Sequence, residues 1–390
     1  MMPGMDRSAL ITLAQELIRA PSPSGREGPA AEVLLRAFRS LGFDRVYRDE
    51  AGNAVGVLER GEGPTVMLNG HLDTVPLGDA SLWPQPPLSG AVVDGRLWGR
   101  GACDMKGALA CMTLAAADAA AAGIRGTLVV AGVVQEEAGG LGARVLGERL
   151  SADIIVLGEP SKLDLMLGHR GRIELEVRFP GRIAHAAKAE LGENALYHAA
   201  RFLERLERAV LPQGGPLVGS SATPTQLVTY PEGGVNVVPG AAVLTVDYRT
   251  IPGETEESVS ALLRSLAADP RVEVVVPGEH AESEDGALQR DFPRSVAPYL
   301  APGENPAVET ARVALSAALA EAGRTLRERT WWFATDAPHL VGPGSVAIGF
   351  GPGEEELAHT TDESVDVDNL AVARAGYRAL AGAFLAGGGA

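Results

Sequence analysis

Leu10, Leu13, Ala14, Leu17 and Ile18 recur at three- and four-residue spacing, which predicts a helix with one apolar stripe. Pro21-Ser22-Pro23-Ser24-Gly25 then breaks the chain, and a second amphipathic run covers about 29–41. Short β-rich runs follow at 46–47, 54–58 and 65–68, with a hairpin-like stretch at 91–98 and an alanine-rich helix at about 106–122. The runs 128–134 and 154–157 are continuously apolar, as in strands buried on both faces. Buried strands alternating with helices predict a layered α/β domain.

From about Gly171 the pattern changes. Ile173-Glu174-Leu175-Glu176-Val177 and Val243-Leu244-Thr245-Val246-Asp247 alternate strictly, and helices are expected near 194–206 and 256–266, so this part reads as an α+β insert. Beyond about 297 the α/β signature returns, with a helix at 306–322, an apolar strand at 346–350 and a last helix at 367–385. The expected division is therefore 1–170 with 298–390 as one domain and 171–297 as a smaller one. No internal repeat is visible, and Gly387-Gly388-Gly389-Ala390 is expected to fray.

Charge narrows the partners. Thirty-four Lys+Arg against 50 Asp+Glu give a net −16 over 390 residues, which repels phosphate backbones and argues against nucleic acid. The most apolar stretch, 108–122, is mostly alanine and contains Thr113 and Asp118, so a packed helix is expected there and not a membrane span. Met-Met-Pro-Gly-Met-Asp runs straight into the first helical stripe without an apolar leader core; no signal peptide and a cytoplasmic location are the expectations. Cys103 and Cys111 have no CxxC or histidine partner nearby, so both read as packing thiols in a reducing compartment.

Candidate chemistry gathers at strand ends. Gly70-His71-Leu72-Asp73, Gln135-Glu136-Glu137 and Gly158-Glu159-Pro160 each follow a predicted buried strand, and ligands of open α/β sheets collect beyond the carboxyl ends of strands. A fourth segment, Gly99-Arg100-Gly101-Ala102-Cys103-Asp104-Met105-Lys106-Gly107, is a glycine-rich loop that lets Asp104 approach a bound atom closely. One such carboxylate usually means a cap or a turn; four together suit a pair of divalent ions held by oxygen and imidazole nitrogen. Zinc, cobalt or manganese, sharing a bridging carboxylate, would meet that donor set. No G-x-S-x-G elbow, H-E-x-x-H helix or phosphate loop occurs, and Gly99-Arg100-Gly101 lacks the third glycine of a dinucleotide fingerprint.

These four segments resemble those of the M20 family of dinuclear metallopeptidases and deacylases, of the acetylornithine deacetylase and succinyl-diaminopimelate desuccinylase type. Later elements continue the match in register: Ala184-His185-Ala186, Glu193-Asn194-Ala195, Val235-Asn236-Val237-Val238-Pro239, Asp247-Tyr248-Arg249 and Ala358-His359-Thr360. The resemblance implies a zinc-peptidase-like catalytic domain with an inserted α+β, ferredoxin-like dimerisation domain. It makes Asp104 the bridging ligand of two divalent ions, zinc first, with His71 and Glu159 completing one site and Glu137 and His359 the other. Asp73 would fix the ring of His71, and Glu136 would be the general base that takes a proton from the activated water.

The same resemblance carries His185 into the partner subunit's site of a homodimer, to stabilise the oxyanion. Its alanine neighbours depart from the family's usual Ser-His-Ser-like setting. Asn236 and Arg249 fall on the substrate side, Arg249 against a free carboxylate and Arg170 as a second candidate cation, although an Arg on an amphipathic strand more often covers a sheet face. Thr335-Asp336-Ala337 looks like the family's substrate-side loop, but a helix N-cap explains it nearly as well. His169, His198, His280 and His339 lie in no motif and are expected to pack or face solvent. The implied reaction is amide hydrolysis of an N-acyl amino acid, with a dipeptidase or carboxypeptidase as the alternative. A non-catalytic metal-binding scaffold is the third reading, and Glu136, which no binder needs, argues against it.

Overall fold

The computed structural model describes residues 7–386, so the expectations for 1–6 and 387–390 lie outside the described residues. A nine-stranded sheet carries the larger unit. Its order is Arg45–Arg48, Ala54–Arg60, Gly126–Val133, Thr65–His71, Ile154–Leu157, Val346–Gly349, Leu165–His169, Tyr299–Leu300, with Glu328–Trp331 also pairing with Leu165–His169. The four strands from Gly126–Val133 to Val346–Gly349 run parallel, so their carboxyl ends open on one edge.

Two-residue periodicity explains why the central strands are apolar throughout. Val66, Leu68, Leu128, Val130, Ile154 and Val156 face one core, while Met67, Val129, Ala131, Ile155 and Leu157 face the other. Helices Arg7–Arg19, Gly28–Ser40, Gly107–Ala121, Pro306–Glu321 and Val367–Phe384 supply the first core, and Leu141–Arg149 with Ala337–Leu340 the second. Alanines at 108, 110, 115 and 116 are buried in Gly107–Ala121, which packs against Val367–Phe384; among the described residues no helix is long and apolar enough to cross a membrane.

The insert is built differently. Gly171–Pro180, Ala195–Glu207, Ser221–Tyr230, Ala241–Thr250, Glu256–Ala267 and Glu273–Val275 follow as βαββαβ, with spatial strand order second, third, first, fourth, the ferredoxin-like arrangement. Ile173, Leu175, Val177 and Phe179, with Ala242, Leu244, Val246 and Tyr248, meet the two helices, and Arg172, Glu174, Asp247 and Arg249 are left on the opposite face. Ser221–Tyr230 is exposed over most of its length and pairs on one side only. A hairpin of Gly278–Glu282 and Gln289–Pro293 sends Ala281 and Phe292 into the core of the larger unit.

Candidate metal centre

The predicted strand ends meet at the parallel edge. His71 is the last residue of Thr65–His71, level with Val133, and Leu72 N–H donates to the Val133 carbonyl at 2.7 Å. Gln135, at φ +56, then turns the neighbouring chain so that the Glu136 and Glu137 amides donate to the two oxygens of Asp73, each at 3.1 Å. Ser24 Oγ donates to Asp73 as well, at 2.7 Å. The ring of His71 is therefore held mainly by main chain: Nδ1 lies 2.9 Å from the Asp73 carbonyl oxygen and 3.5 Å from its carboxylate. The Asp73 carboxylate spends its other bonds on the doubled glutamate, so one residue positions both the histidine and the Glu136-Glu137 turn.

Asp104 stands between two histidines. Its Oδ1 is 3.0 Å from His71 Nε2, its Oδ2 is 3.3 Å from His359 Nε2, and Glu137 Oε1 is 2.7 Å from that same His359 nitrogen. Donor atoms of His71, Asp104 and Glu159 all lie within 4.8 Å of one another, and so do those of Asp104, Glu137 and His359. Donors at ~2.0–2.2 Å from a tetrahedral ion sit roughly 3–4 Å apart, so each triad fits one ion with Asp104 shared. His71, Glu136 and Glu137 make a third overlapping group.

The electrostatics point the same way. Burial alone would depress the His71 imidazole, but hydrogen bonds to Asp104 and Asp73 hold it well above its usual range. His359 is pushed up to about 10 by hydrogen bonds to Asp104 and Glu137. Burial raises Glu136 and Glu159 strongly and Glu137 less, and neighbouring carboxylates add to each. Crowded, desolvated carboxylates of this kind create a demand for cations.

Two buried acids that carry no motif hold the ligand loops. Glu363 accepts the amides of Gly101 at 2.9 Å, Cys103 at 3.2 Å and Asp104 at 3.2 Å, and pairs with Arg100. Glu27 accepts Gly25 N–H at 2.8 Å and Gln135 N–H at 3.1 Å, and burial followed by the charge of Asp73 pushes it up to about 7. Cys103 and Cys111 are free and buried, and burial raises both thiols. Replacing Glu363 by Gln turns an acceptor of three amides into a group with a competing NH₂. We expect a loss of about 2–4 kcal/mol of stability and of metal at the Asp104 position. Thermal melting and metal analysis check it; unchanged metal content would show that the loop holds Asp104 without this anchor.

A cleft of about 550 Å³ opens from these groups toward the insert, lined by Glu136, Arg172, Arg249, Arg294, Trp332 and Asp336 among others. Arg249 reaches it while paired with Asp247 at 2.7 Å, and Arg172 shares that aspartate at 2.8 Å. Arg170 does not line it: its guanidinium donates to the Gly219 and Trp332 carbonyls, at 3.2 and 3.3 Å, and to Ser221 Oγ. His185 pairs with Val237, and the turn residue Asn236 beside it accepts the Ala186 amide at 2.9 Å; both His185 and Asn236 are exposed, and neither lines the cleft of its own chain. His339, expected to pack or face solvent, lines the cleft instead. His169 is fully buried beside Tyr299.

Paired donor sets around a shared aspartate, at the carboxyl edge of a parallel sheet, are the arrangement of a hydrolase that works with two metal ions. A profile described as peptidase family M20/M25/M40 matches residues 67–383, and the chain belongs to that family. It is 33% identical to acetylornithine deacetylase of Myxococcus xanthus over 380 residues, 93% of this chain and 94% of that one. The fold is shared with aminopeptidase PepT of Bacillus cereus, with TM-score 0.75, 21% identity and coverage of 97% and 99% of the two chains. An M20 metallo-carboxypeptidase of Sulfolobus solfataricus is also similar, with TM-score 0.74, 16% identity and coverage of 97% and 99%.

Proposed function

We propose that this hydrolase deacylates N-acyl amino acids of the acetylornithine or succinyl-diaminopimelate type. The observation that carries the reading is Asp104 offering one oxygen to each histidine beside Glu136, in a cleft whose far wall presents Arg249 and Arg172. Likeness to acetylornithine deacetylase over 93% of the chain supports the acyl amino acid as substrate. His71 and Glu159 would hold one ion, Glu137 and His359 the other, and Asp104 both, with zinc first and cobalt or manganese as alternatives. When bound, such ions polarise a scissile carbonyl and acidify water.

The chain supplies the rest. Glu136 takes the proton of the attacking water and returns it to the leaving amine, while Asp73 fixes its backbone. Arg249 receives the substrate's free carboxylate in the fork now facing Asp247. The insert, about 171–297, serves as lid and dimerisation domain. Its one-sided strand Ser221–Tyr230 and its exposed Ile183, Leu191, Tyr197 and Val235 support a homodimer, in which His185 and Asn236 enter the partner's cleft. The free buried thiols fit a cytoplasmic location.

Hydrolysis of N-acetyl, N-succinyl and N-formyl amino acids beside dipeptides, with added zinc or cobalt, tests the reading. Faster dipeptide turnover would move it to a peptidase, and no turnover with both ions bound would leave a scaffold. Arg249→Ala should lower kcat/KM by roughly 10- to 100-fold for substrates with a free carboxylate, and far less for amide-capped analogues. Equal losses on both would make Arg249 structural.

A further inference from the structure

One end of the cleft carries polar groups that amide hydrolysis leaves unused. Asp336 precedes the short helix Ala337–Leu340, lines the cleft and is only 4% exposed, yet its Oδ2 has no hydrogen-bond partner among the described residues. Capping does not occupy it, because Thr335 Oγ1 is what accepts the Ala337 amide, at 3.3 Å. His339 Nε2 is also buried without a partner. The two side chains border the same glycine: a Cβ on Gly140 would lie 3.1 Å from Asp336 Oδ1, the other carboxylate oxygen, and 3.3 Å from His339 Nε2. Glycine, at φ +75, keeps that space open.

Its charge selects the occupant. Burial lowers His339 to about 3, so the ring is neutral and one nitrogen can accept. Arg144 is the nearby cation, but its Nε and Nη2 donate to the Gly139 and Ser295 carbonyls at 3.1 and 3.4 Å, and its plane lies 4.4 Å from the Phe292 ring centre. Asp336, Glu256 and Glu279 all act on that single guanidinium, and burial pushes Asp336 itself up to about 7, so a cation placed against its free oxygen would favour the carboxylate form. An apolar group would leave both buried acceptors unpaired, whereas an ammonium donates to both and pairs with the carboxylate.

We propose that Asp336 and His339 form a subsite for a substrate ammonium, the carboxylate and the neutral imidazole each accepting one N–H, with the side chain of a diamino acid as its source. This rests on the deacylase reading. The arginines of the insert and Asp336 would then hold opposite charges of one zwitterionic substrate. A peptide's N-terminal ammonium has the same chemistry, so the test separates the two.

Two substrate pairs do so: N-acetylornithine against N-acetylnorleucine, where a methyl replaces the side-chain ammonium, and alanyl-norleucine against propionyl-norleucine, where a hydrogen replaces the α-ammonium. Asp336→Asn, checked for full metal content and an unchanged melt, should lose on the order of 100-fold in kcat/KM on N-acetylornithine and less than about threefold on N-acetylnorleucine. A selective loss in the second pair alone would keep the subsite and give it to a peptide terminus. Equal losses on both members of a pair, or none anywhere, would overturn it. Calorimetric titration of ornithine and norleucine into the metal-loaded protein reads the subsite without turnover, and ornithine binding should vanish in Asp336→Asn. If the wild type cleaves no acyl amino acid, the deacylase reading fails and the titration still decides the subsite. Should Asp336→Asn not fold, His339→Gln serves the same comparisons, with roughly tenfold selective loss expected.

Discussion

Glu136→Gln should retain two metal ions and lose on the order of 10³- to 10⁴-fold in kcat, the upper range of what a positioned general base contributes. The amide keeps the volume of the side chain but cannot take the water's proton. Its backbone stays in place, because the Glu136 N–H is held by Asp73 and does not depend on the side chain. Both ion sites also stay complete, since His71, Asp104 and Glu159 form one triad and Asp104, Glu137 and His359 the other. Glu136 does belong to a third group with His71 and Glu137, so metal analysis discriminates. Loss of an ion in the variant would make Glu136 a ligand, and wild-type rates would remove it from the chemistry.

Much of this centre is legible in the chain because the parallel strands are short, wholly apolar and end abruptly. Val133 and Leu157 are buried, and within four residues each strand has given way to a glutamate that faces the edge. The glycine-rich loop announces Asp104 in the same way. Glu363 and Glu27 announce nothing: each is an acid in a polar segment without a motif, and its function exists only once folding brings amides from 259 to 262 or 108 residues away onto its oxygens. His339 is hidden for a related reason, since its only marker is a glycine on another segment that leaves room for it. Ser221–Tyr230 escapes a pattern reading because it buries neither face, so no alternation is written into it. Pro224 sits where the register slips, as suits a strand at a sheet edge.

His185 gives the sharpest test of whether two chains share one site. In its own chain it is exposed, its Nδ1 accepts the Ala187 amide at 3.0 Å, and it lies outside the cleft, so the catalytic role proposed for it runs through a second subunit. A Glu136→Gln homodimer lacks the base in both sites, and a His185→Ala homodimer lacks the oxyanion donor in both; each should be nearly inactive. A mixed dimer rebuilds one site, which takes Glu136 from the His185→Ala subunit and His185 from the Glu136→Gln subunit, while its other site lacks both. Random exchange of equal amounts makes about half of the molecules mixed, each with one competent site of two, so activity should recover to roughly a quarter of wild type. No recovery, with exchange shown independently by mass, would mean that His185 serves its own chain or none. The oxyanion would then be held by groups already in the cleft, because nothing else on the exposed tip of the insert could reach it without a partner.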